Sequence, residues 1–181
     1  MIIIAGTHKG RTMAQPPGRT TRPLTEKVRA ALFDVLGDPT GSVVLDAYAG
    51  SGAAGFEALS RGALLVEAIE NHPRAARTIV QNEASLGFTS NHILHTVSIE
   101  KWLASPGQNP PAARYGLIIA DPPYAKIEPD IIGKLAAFMT PEGVLALSHS
   151  SRLAPPELTG IRHVKTKTYG DTAVSFYCLI N

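Results

Sequence analysis

Cysteine is nearly absent from this 181-residue chain, in which Cys178 is the single thiol. One cysteine cannot form an internal disulfide or a cysteine-based zinc site, so a reducing cytoplasm is the expected compartment. The six histidines show no metal-ligand spacing, and no metal is expected. No apolar stretch approaches the length of a membrane span, and the first residues lack a basic leader. The sequence therefore predicts an unprocessed protein with no membrane partner.

Acidic residues are absent before Glu26, although the whole chain carries a net charge of only +2. The same segment contains four basic residues, Lys9, Arg11, Arg19 and Arg22. A basic leading segment on a balanced chain is typical of a polyanion contact. The alternative is a solvated, flexible terminus, because the glycines and prolines there favour loops. We therefore predict a basic arm or hairpin over 1–23 and a main domain over 24–181.

Apolar runs alternate with segments of helical spacing along the rest of the chain. Strands are predicted at 43–46, 64–70, 93–97, 115–120, 143–147, 161–168 and 172–180. Helices are predicted between Thr25 and Gly37 and at 53–61, 73–86 and 129–139, with a Pro/Gly-rich loop at 105–113. This alternation predicts one doubly wound α/β domain with a mostly parallel sheet, helices on both faces, a C-terminal antiparallel hairpin at the sheet edge and a small N-terminal extension.

A glycine-rich loop follows the first predicted strand. Residues 50–55, Gly-Ser-Gly-Ala-Ala-Gly, have the spacing G-x-G-x-x-G between a strand and a helix, and Glu70 follows about twenty residues later. Gly50 and Gly52 allow the backbone to approach a ligand closely, and the helix N-terminus favours an anionic group. Glu70 can accept both ribose hydroxyl protons. Structural packing alone is the lesser alternative, and the pattern predicts a ligand that contains adenosine.

Asp46, just before this loop, distinguishes two such ligands. It would repel the pyrophosphate of a dinucleotide, but it can pair with the methionine ammonium of S-adenosylmethionine. We therefore favour S-adenosylmethionine, with Ser98 and Ile99 near the adenine. The predicted cofactor-binding residues are Asp46, Ala49, Gly50, Ser51, Gly52, Glu70, Asn71, Ser98, Ile99 and Asp121.

The tetrapeptide Asp121-Pro122-Pro123-Tyr124 directly follows the apolar strand at 115–120. Ligands of open α/β sheets gather at the carboxyl ends of such strands, which places the tetrapeptide in the crevice. There Asp121 and the Pro122 carbonyl can accept hydrogen bonds from an exocyclic NH2 group, and Tyr124 offers a ring for stacking. An ordinary turn is the alternative. With the glycine loop upstream, we predict methyl transfer to a planar amine, with Asp121, Pro122 and Tyr124 as catalytic residues.

Several stretches together resemble the RsmD family of bacterial methyltransferases. They are the motif around Arg22 and Arg29, residues 44–52 and 57–63, the tetrapeptide at 121–124, and Tyr169-Gly170-Asp171-Thr172. The resemblance implies a Rossmann-like class I methyltransferase sheet, S-adenosylmethionine as donor, and the N2 of a guanine in 16S ribosomal RNA as acceptor, either free or in the assembling 30S subunit. For this RNA we predict phosphate contacts from Lys9, Arg11, Arg22 and Arg29. We expect a monomer.

Two positions depart from the family pattern, and two alternative functions stay open. Tyr48 stands where Phe is common, and Ser148-His149 ends a strand where a Glu is expected. Related motifs serve other planar amines, namely adenine N6, cytosine N4 and protein glutamine, although the basic arm favours nucleic acid. A noncatalytic RNA-binding assembly factor is the other alternative. Against it, the cofactor loop and the amine motif are both intact.

Overall fold

The computed structural model describes residues 1–17, 24–105, 115–123 and 127–180. Within these ranges the strands are β1 Val43–Asp46, β2 Leu65–Ile69, β3 His92–His95, β4 Tyr115–Ala120, β5 Met139–Ser150, β6 Ile161–Tyr169 and β7 Thr172–Leu179. The α-helices are α1 Glu26–Leu36, α2 Ala53–Ser60, α3 Pro73–Leu86, α4 Ile99–Ala104 and α5 Pro129–Leu135. A 3-10 turn, Ala136–Phe138, follows α5. None of the described helices is long and apolar enough to cross a membrane.

The strands form one sheet in the order β3-β2-β1-β4-β5-β7-β6. The neighbours from β3 to β5 pair in parallel, whereas β7 is antiparallel to both β5 and β6. The chain order reverses between β1 and β4, and a crevice forms at the carboxyl ends of strands where this happens. The predicted mostly parallel sheet with a C-terminal antiparallel hairpin is confirmed.

Local signals set the ends of α1. The Thr25 hydroxyl accepts a hydrogen bond of 3.3 Å from the backbone N–H of Val28 and caps the helix N-terminus. Gly37, with a φ of 81°, ends the helix and donates its N–H to the carbonyl of Phe33. Because such signals act over a few residues, the predicted limits of this helix agree with the structure.

Other predicted limits were wrong. The helix predicted to run to residue 139 ends at Leu135, and β5 begins at Met139 rather than at Gly143. Pairing of Met139 with Tyr115 of β4 starts the strand early, a contact that neighbouring residues do not reveal. The six-residue helix α4 was not predicted, although it buries Trp102 completely. It is too short for helical periodicity to stand out.

The core consists of two apolar clusters. One contains Phe33 of α1, Phe56 of α2, Ile79 of α3 and Phe176 of β7. The other is built around Trp102 and includes further residues of the sheet, α4 and α5. The N-terminal segment, residues 1–17, contributes its buried Ile3 and Met13 to the first cluster and forms an antiparallel bridge between Ile2 and Thr12. This segment therefore packs against the helices that flank the sheet.

Candidate active site

A cleft of about 1080 Å³ opens at the carboxyl ends of β1, β2 and β4. Residues from distant parts of the sequence meet in it, as expected at a topological switch point. Of the predicted catalytic and cofactor-binding residues, Asp46, Ala49, Gly50, Ser51, Glu70, Asn71, Ser98, Ile99, Asp121 and Pro122 line its walls. Tyr124 lies outside the described residues. No group of three or more His, Cys, Asp or Glu side chains within the described ranges is arranged to hold a metal ion.

Glu70 is held in place by two backbone donors. One of its carboxylate oxygens accepts a hydrogen bond of 2.8 Å from Gly50 N–H, and the other accepts one of 2.7 Å from His72 N–H. Each carboxylate oxygen can accept more than one hydrogen bond. The side chain therefore keeps acceptor capacity for the two hydroxyls of a ribose while it joins the glycine loop to the end of β2.

Gly52 allows the glycine loop to adopt its conformation. Its φ is 78°, and a Cβ built on it would lie 2.5 Å from the ring of Phe56. Both facts require glycine at this position. Gly52 is not among the residues that line the cleft, whereas Gly50 is. The predicted close approach of backbone to ligand therefore suits Gly50, while Gly52 shapes the turn into α2.

Asp46 is a buried carboxylate that forms no ion pair with any residue in the described ranges. Only 2% of the residue is exposed, and a carboxylate oxygen accepts a 3.0 Å hydrogen bond from Gly55 N–H. The pKa of Asp46 is raised to about 7: burial is the largest cause, the nearby Asp121 and Glu70 act in the same direction, and the Gly55 hydrogen bond opposes them. A cation placed here would stabilise the ionised form. The arrangement fits the ammonium of the methionine part of S-adenosylmethionine.

Asp121 is the second carboxylate with a raised pKa. Burial raises the pKa of this group to about 6, while hydrogen bonds from the Ser148 hydroxyl and from Leu24 N–H lower it. Ser148 stands where the family pattern predicts Glu, and here it supports the predicted catalytic carboxylate. The register explains the contact, because Ala120 pairs with Leu147 and the next residue of each strand is then a neighbour. This role of Ser148 was not predicted, since the register of the strands is not visible in the sequence.

The N-terminal segment also contributes to the cleft. Met1, Gln15, Pro16 and Pro17 line it, together with Leu24. These contacts were not predicted, because they depend on how the segment packs over the end of the sheet. The apolar start of the chain, residues 1–5, was the available hint that the segment has a buried side.

The predicted RNA-binding residues fall into different environments. Lys9 and Arg11 are exposed, and the Arg11 guanidinium donates a 2.7 Å hydrogen bond to the Ser85 carbonyl. Arg22 lies outside the described residues. The prediction for Arg29 was wrong, because its side chain is fully buried and donates a hydrogen bond to the Ile2 carbonyl. A guanidinium in that position cannot grip a phosphate.

Arg29 is buried because it forms an ion pair with Glu57, a buried acid. Its Nε lies 3.5 Å from a carboxylate oxygen of Glu57, which is also fully buried. Glu57 accepts hydrogen bonds of 2.8 and 3.0 Å from the N–H groups of Ile4 and Ala5, and forms an ion pair of 2.8 Å with Arg61. Burial lowers the pKa of Arg29, and the charge of Glu57 opposes that shift. The pair fastens the N-terminal segment to α1 and α2.

The sheet order, the glycine loop, the acid at the end of β2 and the cleft at the switch point define a class I S-adenosylmethionine-dependent methyltransferase. Residues 1–178 match the family model described as Conserved hypothetical protein 95. The chain belongs to this family, the RsmD family, and the resemblance seen in the sequence is confirmed. The predictions of a methyltransferase and of S-adenosylmethionine as its cofactor are confirmed with it.

Relatives of the chain agree over most of its length. The Putative rRNA methyltransferase YlbH of Bacillus subtilis is 30% identical over 98% of this chain and 98% of its own. The Ribosomal RNA small subunit methyltransferase D of Escherichia coli is 31% identical over 68% of this chain and 60% of its own length. A solved structure, the putative methyltransferase yhhF from Escherichia coli, superposes with a TM-score of 0.85 at 27% identity, over 99% of this chain and 97% of its own.

Proposed function

We propose that the protein transfers a methyl group from S-adenosylmethionine to the exocyclic N2 of a guanine in 16S ribosomal RNA. One observation carries the proposal: Gly50 of the cofactor loop and Asp121 of the amine motif line the same cleft. The loop proposed to bind the methyl donor and the tetrapeptide proposed to bind the acceptor amine therefore line a single cleft. The names of the relatives, which refer to ribosomal RNA and to the small ribosomal subunit, support the choice of substrate.

The protein's proposed contribution to catalysis is to position the amine of the base against the methyl group of the donor. When bound, S-adenosylmethionine supplies an electrophilic methyl group on a sulfonium. The Asp121 carboxylate and the Pro122 carbonyl accept hydrogen bonds from the amine protons of the base, which localises the nitrogen lone pair towards that methyl group. Because the pKa of Asp121 is about 6, the group is ionised at neutral pH and can accept these bonds. Asp121 need not be a strong base, because the nitrogen becomes acidic only as it gains the methyl group.

The roles of the other site residues are part of the same proposal. Asp46 holds the methionine ammonium, Glu70 holds the ribose, and Tyr124 stacks on the target base. Residues 1–23 act as the RNA-contacting part of the chain, with Lys9, Arg11 and Arg22 on phosphates. We infer that the protein acts as a monomer in the cytoplasm, where the 16S RNA and the assembling 30S subunit are found.

The test is a methyl-transfer assay with labelled S-adenosylmethionine. Naked 16S RNA, assembled small subunits and duplex DNA are compared as acceptors, for the wild type and for Asp121→Ala. We expect label in one of the two RNA substrates. That label should be lost in Asp121→Ala even at a donor concentration that calorimetry shows to saturate the variant. A variant that keeps most of its activity would refute the role of Asp121. Label in duplex DNA alone would refute the substrate.

If the protein is instead a noncatalytic assembly factor, the same assay should give a different result. The wild type would then bind RNA and transfer no label to any acceptor. A matched control is Asp130→Ala, because Asp130 is exposed in the first turn of α5 and does not line the cleft. This control should retain wild-type transfer, so that a loss in Asp121→Ala is specific to the cleft.

A further inference from the structure

We propose that the outer edge of the sheet is a second RNA-binding surface, which holds the backbone of the substrate RNA beside its target nucleotide. The inference rests on the proposed function. The surface consists of Arg162, Lys165 and Lys167 on β6, and we call it the basic edge. It lies far in sequence from the basic N-terminal segment and was not predicted from the sequence.

A β-bulge places the three cations on one face of the sheet. The register pairs them with alternate residues of β7: Arg162 with Cys178, Lys165 with Phe176, and Lys167 with Val174. The register shifts between His163 and Lys165, so that Val164 is an extra residue. Without the shift, Arg162 and Lys165 would point to opposite faces, because side chains alternate along a strand. The bulge therefore gathers the positive charge on one side.

The opposite face of β6 carries no Lys, Arg, Asp or Glu side chain. Its side chains there include His163 and Thr166, which are joined by a 2.8 Å hydrogen bond. Thr166 in turn lies 2.7 Å from the Ser175 hydroxyl of β7. Lysine on an edge strand commonly serves to prevent edge-to-edge association, but that task does not require the charges to share a face. Charge on one face only is the pattern of a polyanion contact.

The cations of the basic edge are available to a ligand. All three residues are exposed, and none of them forms an ion pair among the described residues. The Lys165 ammonium lies 5.7 Å above the Phe176 ring, which orients it without neutralising it. Lys165 and Lys167 are separated by two residues of extended strand, about 6–7 Å. Successive phosphates of a single strand can match such a spacing.

The basic edge leads to the cleft. Because β7 is antiparallel to both of its neighbours, β6 runs in the same direction as β5 and ends at the same side of the sheet. Tyr169 ends β6, and Asp171 in the following turn lines the cleft. An RNA strand whose target base enters the cleft can therefore continue along β6. Lys167 lies nearest to the cleft, and Lys165 and Arg162 follow towards the start of β6, so the positive charge would meet nucleotides at increasing distance from the target.

The test compares two double variants that remove the same charge. Lys165→Ala/Lys167→Ala removes two cations from the basic edge. The control, Arg77→Ala/Lys134→Ala, removes two exposed cations from α3 and α5 that do not line the cleft. The affinity for 16S RNA is measured by filter binding over a series of salt concentrations, and KM and kcat are measured in the methyl-transfer assay.

We expect the basic-edge variant to bind RNA about tenfold more weakly and to lower the slope of log affinity against log salt by about 1.4–1.8, the value for two lost phosphate contacts. KM for RNA should rise, while kcat and donor affinity stay at wild-type values. The control should change neither affinity nor slope. A Lys165→Arg/Lys167→Arg variant, which keeps the charge, should bind as the wild type does.

Three outcomes would overturn the inference. The basic-edge variant could bind RNA with wild-type affinity and slope. It could aggregate in sedimentation experiments while its soluble fraction binds RNA normally, which would assign the lysines to edge protection. It could also lose affinity for assembled subunits and keep it for naked RNA, which would assign them to a protein partner. Failure of the proposed function differs from all three, because the wild type itself would then methylate no RNA.

Discussion

The backbone N–H of Gly50 and the carboxylate of Glu70 are joined by a hydrogen bond of 2.8 Å. This bond fixes the loop after β1 against the end of β2. A second bond, 2.7 Å long, from His72 N–H to the other oxygen of the same carboxylate holds its orientation. A ribose acceptor that is held in place in advance loses little conformational freedom when the cofactor binds, which favours affinity.

Glu70→Gln should weaken the binding of S-adenosylmethionine by at least tenfold, about 1.4 kcal/mol. The amide keeps the size of the side chain but replaces one acceptor oxygen with a donor NH2 group, which cannot accept from Gly50 N–H or from a ribose hydroxyl. Isothermal calorimetry gives the Kd directly. Glu142→Gln is the matched control, because Glu142 is exposed on β5 and outside the cleft. Equal affinities for Glu70→Gln and the wild type would rule out the ribose assignment.

Asp46→Asn should stabilise the protein without its cofactor. Burial raises the pKa of Asp46 to about 7 in the folded state, above its ordinary value, so folding favours the protonated form. Its contribution to stability is therefore fully present below about pH 4 and is lost as the pH rises towards 7. At pH 8 the neutral amide should raise the free energy of unfolding by on the order of 1–2 kcal/mol, or roughly 2–8 °C in Tm.

The same substitution should weaken cofactor binding, because the amide cannot pair with an ammonium. Thermal melts at pH 5 and pH 8, with and without S-adenosylmethionine, separate the two effects. The gain in Tm should be small at pH 5 and larger at pH 8, and the upward shift caused by the cofactor should shrink. A loss of Tm at pH 8 without the cofactor would show that Asp46 is structural rather than a ligand for a cation.

Ser148→Ala should move the acid limb of the activity profile to higher pH. The Ser148 hydroxyl donates to Asp121 and lowers the pKa of that carboxyl, so its removal lets the pKa rise above about 6. Protonated Asp121 is a poorer acceptor for the amine protons. The measurement is kcat/KM for RNA from pH 5 to 9 at saturating donor. Ser151→Ala serves as the control, because its hydroxyl donates to the Gly170 carbonyl instead. Superimposable profiles for Ser148→Ala and the wild type would exclude the contact.

Arg29→Met should destabilise the fold without changing how RNA binding depends on salt. Removing one partner of a buried ion pair leaves the other charge uncompensated, and we expect a loss of about 3 kcal/mol. Lys9→Met should do the opposite: Tm should barely move, and the salt slope should fall by about 0.7–0.9. Thermal melts and filter binding well below the melting temperature provide both readouts. A reduced salt slope for Arg29→Met at unchanged Tm would restore the RNA role predicted from the sequence.

Much of the fold could be predicted because local signals act within a few residues. Thr25 and Gly37 mark the ends of α1, and α3, Pro73–Leu86, occurs where proline and helical spacing predict it. The limits of β5 could not be predicted, because its pairing with Tyr115 starts it at Met139. Likewise, the bulge in β6 follows from its pairing with β7 and leaves no mark in the sequence.

For the candidate site, too, some features could be predicted from the sequence and others could not. The common location of Gly50, Glu70 and Asp121 in one cleft could be predicted, because each follows a strand within a short motif and the carboxyl ends of parallel strands share one edge of the sheet. The support that Asp121 receives from Ser148 and Leu24 depends on register and packing. Charge alone misled the prediction for Arg29, since the buried Glu57 that it accompanies lies in a different helix.

The measurement that tests the central claim most directly is the identity of the methylated nucleoside. Small-subunit RNA is incubated with the protein and labelled S-adenosylmethionine, digested to nucleosides and analysed by mass spectrometry. If the cleft holds the donor against a guanine amine beside Asp121, the label appears in N2-methylguanosine and disappears with Asp121→Ala. Label in N6-methyladenosine or N4-methylcytidine, or RNA that stays unlabelled although the donor binds, would contradict the account.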